Sequence, residues 1–74
     1  MFFYKFFSFS SKCIKEIRLD FKLSQKHFGE MLSVSQDTIS LWETGKSLPT
    51  TELLIAMAKK FNVSVDYILC LTDF

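Results

Sequence analysis

Glycine and proline are nearly missing from this 74-residue chain, which holds only Gly29, Gly45 and Pro49. Those two residue types are the strongest breakers of regular backbone structure, so a chain that dispenses with them is free to run as helices joined by short turns. Leu, Lys, Glu, Ile and Met recur throughout, and strand-like alternation is not sustained anywhere after Ser11. The predicted fold class is all-α. The length allows one domain, and a domain of this size buries only about 60–65% of the surface its unfolded chain exposes. With 49% apolar residues the chain is well supplied for that task.

Capping residues divide the chain into segments. Ser24, Ser35, Thr50 and Ser64 each stand just before a run of helical apolar periodicity, where a side-chain oxygen can accept one of the helix's free N–H groups. A first segment, roughly Ser11 to Phe21, puts Ile14, Ile17 and Phe21 on one face and Lys12, Lys15, Glu16 and Arg18 mostly elsewhere. The second opens at Ser24 and carries Phe28, Met31 and Leu32 on its apolar side. The third opens at Ser35, spaces Ile39 and Trp42 three apart, and stops before Gly45, which suits the left-handed C′ position. After Pro49, a fourth segment has a broad stripe of Leu53, Leu54, Met57, Ala58 and Phe61. Ser64 starts a last short helix with Val65, Ile68 and Leu69 turned inward and Asp66 near its positive end. The expectation is a compact bundle of five short helices.

Residues 1–10, MFFYKFFSFS, read as an aromatic N-terminal extension, and residues 11–74 as the folded domain. The opening makes a poor signal peptide: Lys5 breaks its apolar run, no charge precedes that run, and no small-residue cleavage site follows. An arm contacting a second copy, a cover for an apolar groove and an extension outside the core are the roles it fits, the last two equally well. Cys13 and Cys70 lack the spacing of a disulfide framework or a zinc site, so both are expected to be reduced, small apolar residues. No run approaches 18 apolar residues, so no membrane span is expected. The net charge of +1 excludes nothing, since a basic face can hide in a balanced total.

The most informative stretch is LSQKHFGEMLSVSQDTISLWETGKSLPT. Here the second segment ends near Leu32 and the third begins after Ser35, with Ser33, Val34 and Ser35 as the turn. Two helices so joined, sharing Phe28, Leu32, Ile39 and Trp42 in one core, make a helix-turn-helix. Val34 is apolar because the turn folds back over that core. Gly29 costs about 1 kcal/mol against alanine inside a helix, and a close approach of neighbouring backbone would justify it.

These features resemble the phage repressor and Cro type of helix-turn-helix domain, the XRE-like family. The resemblance covers about Ile14 to Asp73 and rests on IKEIR, LSQ, SVSQDTISLWETGKSLPT and FNVSVDYIL in that order. It implies a five-helix, lambda-repressor-like fold and a DNA-binding role. It also implies a structural salt bridge between Arg18 and Glu43, and a phosphate contact from Gln25 at the start of the second helix, where free N–H groups face anions. Thr44, Lys46 and Ser47 match the loop after the recognition helix, which also touches the DNA backbone in that family.

The recognition helix is Ser35 to Thr44. Ile39 and Trp42 must face the core, which leaves Gln36, Asp37, Ser40 and Leu41 outward and Thr38 at the edge. In this docking geometry the N-terminal residues of the helix reach base edges in the major groove. The Gln36 amide can pair bidentately with adenine, and Ser40 can bond either kind of edge. Asp37 can accept from cytosine N4, or act mainly to stabilise the helix dipole or to reject wrong sequences. Leu41 stands where the family often has a polar or basic residue and offers only apolar contact, for example to a thymine methyl. Ser33 stands where glycine is common. This helix has no positive charge, so Lys22, Lys26 and Lys46 must supply the phosphate attraction. Thr38 and Thr44 join them as expected backbone contacts. Modest affinity per domain favours a homodimer.

Phe28, Ile39 and Trp42 are expected in the core, and Lys59 and Lys60 on a solvated face. His27 lies off the apolar face with no second ligand or nucleophile beside it. No acid–base pair, nucleophile motif, phosphate loop or metal cluster is present, so no enzyme, metal or cofactor is expected. The leading expectation is a cytoplasmic transcriptional regulator, a repressor, that binds a double-stranded operator as a homodimer. No small-molecule ligand is expected, because no effector domain is attached. The competing expectation is an antitoxin or accessory subunit acting on a partner protein through exposed apolar groups at Phe2 to Phe9, Tyr67 and Phe74.

Overall fold

The computed structural model describes the backbone of residues 2–71 and the side chains of residues 10–71. Among these residues there are five α-helices and no strand: α1 (Phe2–Asp20), α2 (Gln25–Leu32), α3 (Gln36–Glu43), α4 (Thr51–Phe61) and α5 (Val65–Ile68). The last four start where their caps stand. Ser24 Oγ accepts from the His27 N–H at 3.0 Å, Ser35 Oγ from Thr38 at 3.1 Å, Thr50 Oγ1 from Leu53 at 3.3 Å and Ser64 Oγ from Tyr67 at 3.0 Å. Each bond satisfies an otherwise free donor and is worth about 1 kcal/mol.

The first helix differs from expectation. It starts at Phe2 rather than near Ser11, so the backbone of residues 2–10 is continuous with the rest of α1. Nothing between Phe2 and Asp20 breaks a helix, since the segment has neither glycine nor proline. The aromatic side chains of the leader and that of Phe74 lie outside the described residues, whereas Ser10, the last leader residue, is buried.

Every helix contributes to one core. Ile14 and Ile17 come from α1, Phe28 and Leu32 from α2, Ile39 and Trp42 from α3, Met57 and Phe61 from α4, and Ile68 from α5. Packed so, α3 lies against both α1 and α2, while α5 closes on α1 and α4. Three apolar residues are placed otherwise than expected. Met31 is exposed, at the margin of the apolar face of α2. Phe21 is half exposed, yet its ring meets Phe61 edge-on with centroids 4.9 Å apart. Tyr67 is partly buried against the core rather than exposed.

The cysteines are also a correction. Cys13 in α1 and Cys70 just after α5 form a disulfide, with Cα atoms 5.9 Å apart. That separation falls within the usual span of about 4.4–6.8 Å. The pair is 57 residues apart in the chain, and only the packing of α5 on α1 brings it together.

The α2–α3 turn shows why Gly29 is glycine. The Val34 N–H donates to the Gly29 carbonyl at 2.9 Å, and Val34 packs against the core. A Cβ on Gly29 would stand 2.7 Å from the Val34 carbonyl oxygen and 3.3 Å from that of Ser35. Both are backbone atoms, so the turn itself would have to move. Alanine gains about 1 kcal/mol of helix propensity, but such overpacking costs about 1–3 kcal/mol. Gly29→Ala should therefore lose up to about 2 kcal/mol net, seen as a lower urea midpoint with an unchanged slope.

Ser33 presents the opposite case. It ends α2 in the left-handed region, at φ 60 and ψ 38. A side chain there costs about 1–2 kcal/mol, which glycine avoids at some cost in unfolded-chain entropy. Ser33→Gly should stabilise the domain by about 0.5–1 kcal/mol, measurable as a raised thermal midpoint.

Candidate nucleic-acid interface

The outward face of α3 is built by what fastens its inner face. Ile39 and Trp42 are buried, and the helix period then turns Gln36, Asp37, Ser40 and Leu41 away from the core. Gln36, Asp37 and Leu41 are exposed, the last by 43%, and Ser40 is half-buried. Thr38 is half-buried as well. Its hydroxyl lies 3.0 Å from Ser35 Oγ, so it is engaged with the cap of its own helix.

The far end of α3 is secured too. Thr44 Oγ1 donates to the Ser40 carbonyl at 2.8 Å and approaches that of Leu41 at 3.3 Å. Gly45 takes φ 78, a conformation for which glycine is suited, and the Lys46 N–H returns to the Leu41 carbonyl at 2.9 Å. Thr44 and Lys46 remain exposed and Ser47 half-buried on this short loop.

The orientation of the helix is set by Glu43. Arg18 Nε donates to Glu43 Oε2 at 2.6 Å, and a second guanidinium nitrogen donates to Oε1 at 3.0 Å. This bidentate pair joins α1 to α3 with side chains 12% and 4% exposed. A further guanidinium nitrogen donates to the Leu23 carbonyl at 2.9 Å, tying down the chain ahead of α2. The hydrogen bond to Glu43 raises the Arg18 pKa above its ordinary value, against the opposing effect of burial. The guanidinium is thus charged throughout the working range of pH.

Gln25 joins the same cluster, which its sequence position did not announce. Its Nε2 donates to Glu43 Oε1 at 3.1 Å, so one carboxylate binds α1, α2 and α3 together. The amide keeps a second hydrogen to offer an anion. Lys22, Lys26 and Lys46 are all exposed, as are His27, Lys59 and Lys60. Among the described residues, no group of three or more His, Cys, Asp or Glu side chains is placed to hold a metal. No helix there is long and apolar enough to cross a membrane.

A family model described as Helix-turn-helix matches residues 14–68, which is most of the chain. Over 56 residues the chain is 38% identical to the HTH-type transcriptional activator BcrR of Enterococcus faecalis, covering 76% of this chain and 28% of that protein. It is also 38% identical over 56 residues to Repressor protein C2 of Salmonella phage P22, covering 76% and 26% respectively. Antitoxin PezA of Streptococcus pneumoniae is 38% identical over 53 residues, covering 72% and 34%. The chain thus spans only about a quarter to a third of the length of these relatives. Among solved structures none matches. With five helices, a three-residue turn closed on Gly29 and a family match across all of α2 to α5, the chain belongs to the helix-turn-helix family in its phage-repressor, XRE-like form.

Proposed function

We propose that the chain is a sequence-specific DNA-binding regulator, a repressor, that seats α3 in the major groove of its operator. The observation that carries this reading is the two-sidedness of α3. One side is fixed by Ile39, Trp42 and the Glu43 cluster, while Gln36, Asp37, Ser40 and Leu41 face outward from a rigid support. Gln36 and Ser40 read base edges by hydrogen bonding, Leu41 makes apolar contact, and Asp37 accepts from cytosine or rejects wrong sequences. Lys22, Lys26, Lys46, Thr38, Thr44 and the second amide hydrogen of Gln25 serve the phosphates. The names of the activator and repressor relatives both support a DNA-binding regulator, and that of the phage protein supports repression. It places the protein in the cytoplasm with the DNA and gives it no cofactor and no catalytic role.

With three flanking lysines per copy, a homodimer brings six to the duplex, and its half-sites would lie about 34 Å apart. Six neutralised phosphates predict that affinity falls on the order of a thousandfold between about 50 and 200 mM salt. Selection from a random duplex library, followed by mobility shifts at two salt concentrations, tests both the specificity and this dependence. Recovery of no preferred sequence would sink the reading. The similarity to an antitoxin supports a second one, in which a partner protein is the main target. A stable complex with a neighbouring gene's product, without binding to any duplex, would favour that alternative.

A further inference from the structure

The disulfide joins α1 to the chain that follows α5. Cys13 sits in α1 and Cys70 follows α5, and they are the only cysteines of the chain. Both residues are partly exposed. The element they secure has little holding power of its own: α5 is a single turn of four residues, anchored by Ile68 and packed on α1 and α4. A helix that short is unstable without tertiary support. The partner element, α1, also carries Arg18, which orients α3.

A DNA-binding protein meets its operator in a compartment kept reducing by low-molecular-weight thiols, and there a cysteine pair that can bond is in most cases redox-responsive. This compartment follows from the DNA-binding reading above. We infer that Cys13 and Cys70 form a reversible thiol–disulfide switch, worked by glutathione-type thiols, that sets how firmly α5 is clasped to α1 and hence the stability of the domain.

The exchange balances with one disulfide of the small thiol. A cysteine thiolate attacks the small disulfide, forms a mixed disulfide and expels one small thiolate. The second cysteine thiolate then attacks the protein-bound sulfur, forms the Cys13–Cys70 bond and expels the other. The protein loses two electrons and two protons, and one small disulfide becomes two thiols. Reduction is the reverse. Closing a loop of 57 residues' separation shifts the unfolding equilibrium by roughly a thousandfold on the chain-entropy account.

The test equilibrates the full chain in buffers of reduced and oxidised glutathione and follows mass, free thiols and thermal midpoint. Oxidation should remove two hydrogens and raise the midpoint by about 15–35 °C, and reduced glutathione should reverse both changes. The double variant Cys13→Ser, Cys70→Ser should melt like the reduced protein at every buffer composition. If it is unfolded at room temperature, and reduced wild type is too, that is the extreme form of the same result. Failure of the bond to form, failure of glutathione to reduce it, or equal midpoints in both states would overturn the switch. Duplex binding is measured on the same samples. A shifted midpoint with no duplex bound in either state supports the switch and counts against the DNA-binding reading.

Discussion

Replacing Glu43 with alanine should cost about 3–5 kcal/mol of folding stability, the loss expected when one partner of a buried ion pair is removed. A small domain has about 5–10 kcal/mol in all, so the variant should be largely unfolded at moderate urea, with a midpoint far below wild type. The size of the effect comes from what is left behind. The Arg18 side chain is only 12% exposed and loses both bonds of its bidentate pair, while Gln25 loses its acceptor. Only the bond to the Leu23 carbonyl would still hold the guanidinium. The control is the pair Arg18→Met with Glu43→Leu, which removes both charges and keeps apolar volume. It should recover most of the loss, because the penalty belongs to the stranded charge more than to the missing attraction. Gln25 is half-buried and can turn to water. If Glu43→Ala is as stable as wild type, or if the double variant is no better than the single, the cluster does not hold the three helices together.

What the sequence discloses here depends on range. Ser24, Ser35, Thr50 and Ser64 could be read as caps because each acts on an N–H three residues away. Gly29 was legible as a close approach for a similar reason: the turn that crowds it begins four residues later. The periodic faces located Ile14, Phe28, Ile39 and Met57 in the core but not the edges of those faces. Met31 sits at such an edge, where a small helix rotation decides exposure, and Phe21 follows the last residue of α1, so the helix period no longer fixes its direction. The start of α1 is hard to read because a run of aromatics ahead of Ser11 has no helical face, although no helix breaker stands between Phe2 and Ser11.

The long-range contacts were the least legible. Cys13 meets Cys70 only once α5 has docked, and no local pattern near either residue points to the other. Arg18 and Glu43 were linked through family resemblance, whereas the bond from Gln25 to Glu43 needs the crossing geometry of α2 on α3. The outer residues of α3 fall between these cases. Their direction follows from the helix period once Ile39 and Trp42 are inside, but what they touch belongs to a partner molecule.

That gap defines the second large effect. Changing Gln36 and Ser40 together to alanine should weaken binding to the selected operator by roughly 30-fold to 20,000-fold, while leaving binding to unrelated duplex nearly unchanged. A bidentate side-chain contact is worth about 1–3 kcal/mol of discrimination, and a dimer loses it in both half-sites, giving about 2–6 kcal/mol in all. The fold should not suffer. Both positions are on the outer face of α3, and alanine is the best helix former, so stability should stay within about 0.5 kcal/mol. Lys46→Ala gives the contrasting signature. It should weaken operator and random duplex alike and make the salt dependence shallower, because a phosphate contact carries no sequence information. Measured by titration at two salt concentrations, the two variants separate reading from holding. If the double alanine variant keeps the wild-type ratio of specific to random binding, then α3 does not read the operator through these side chains.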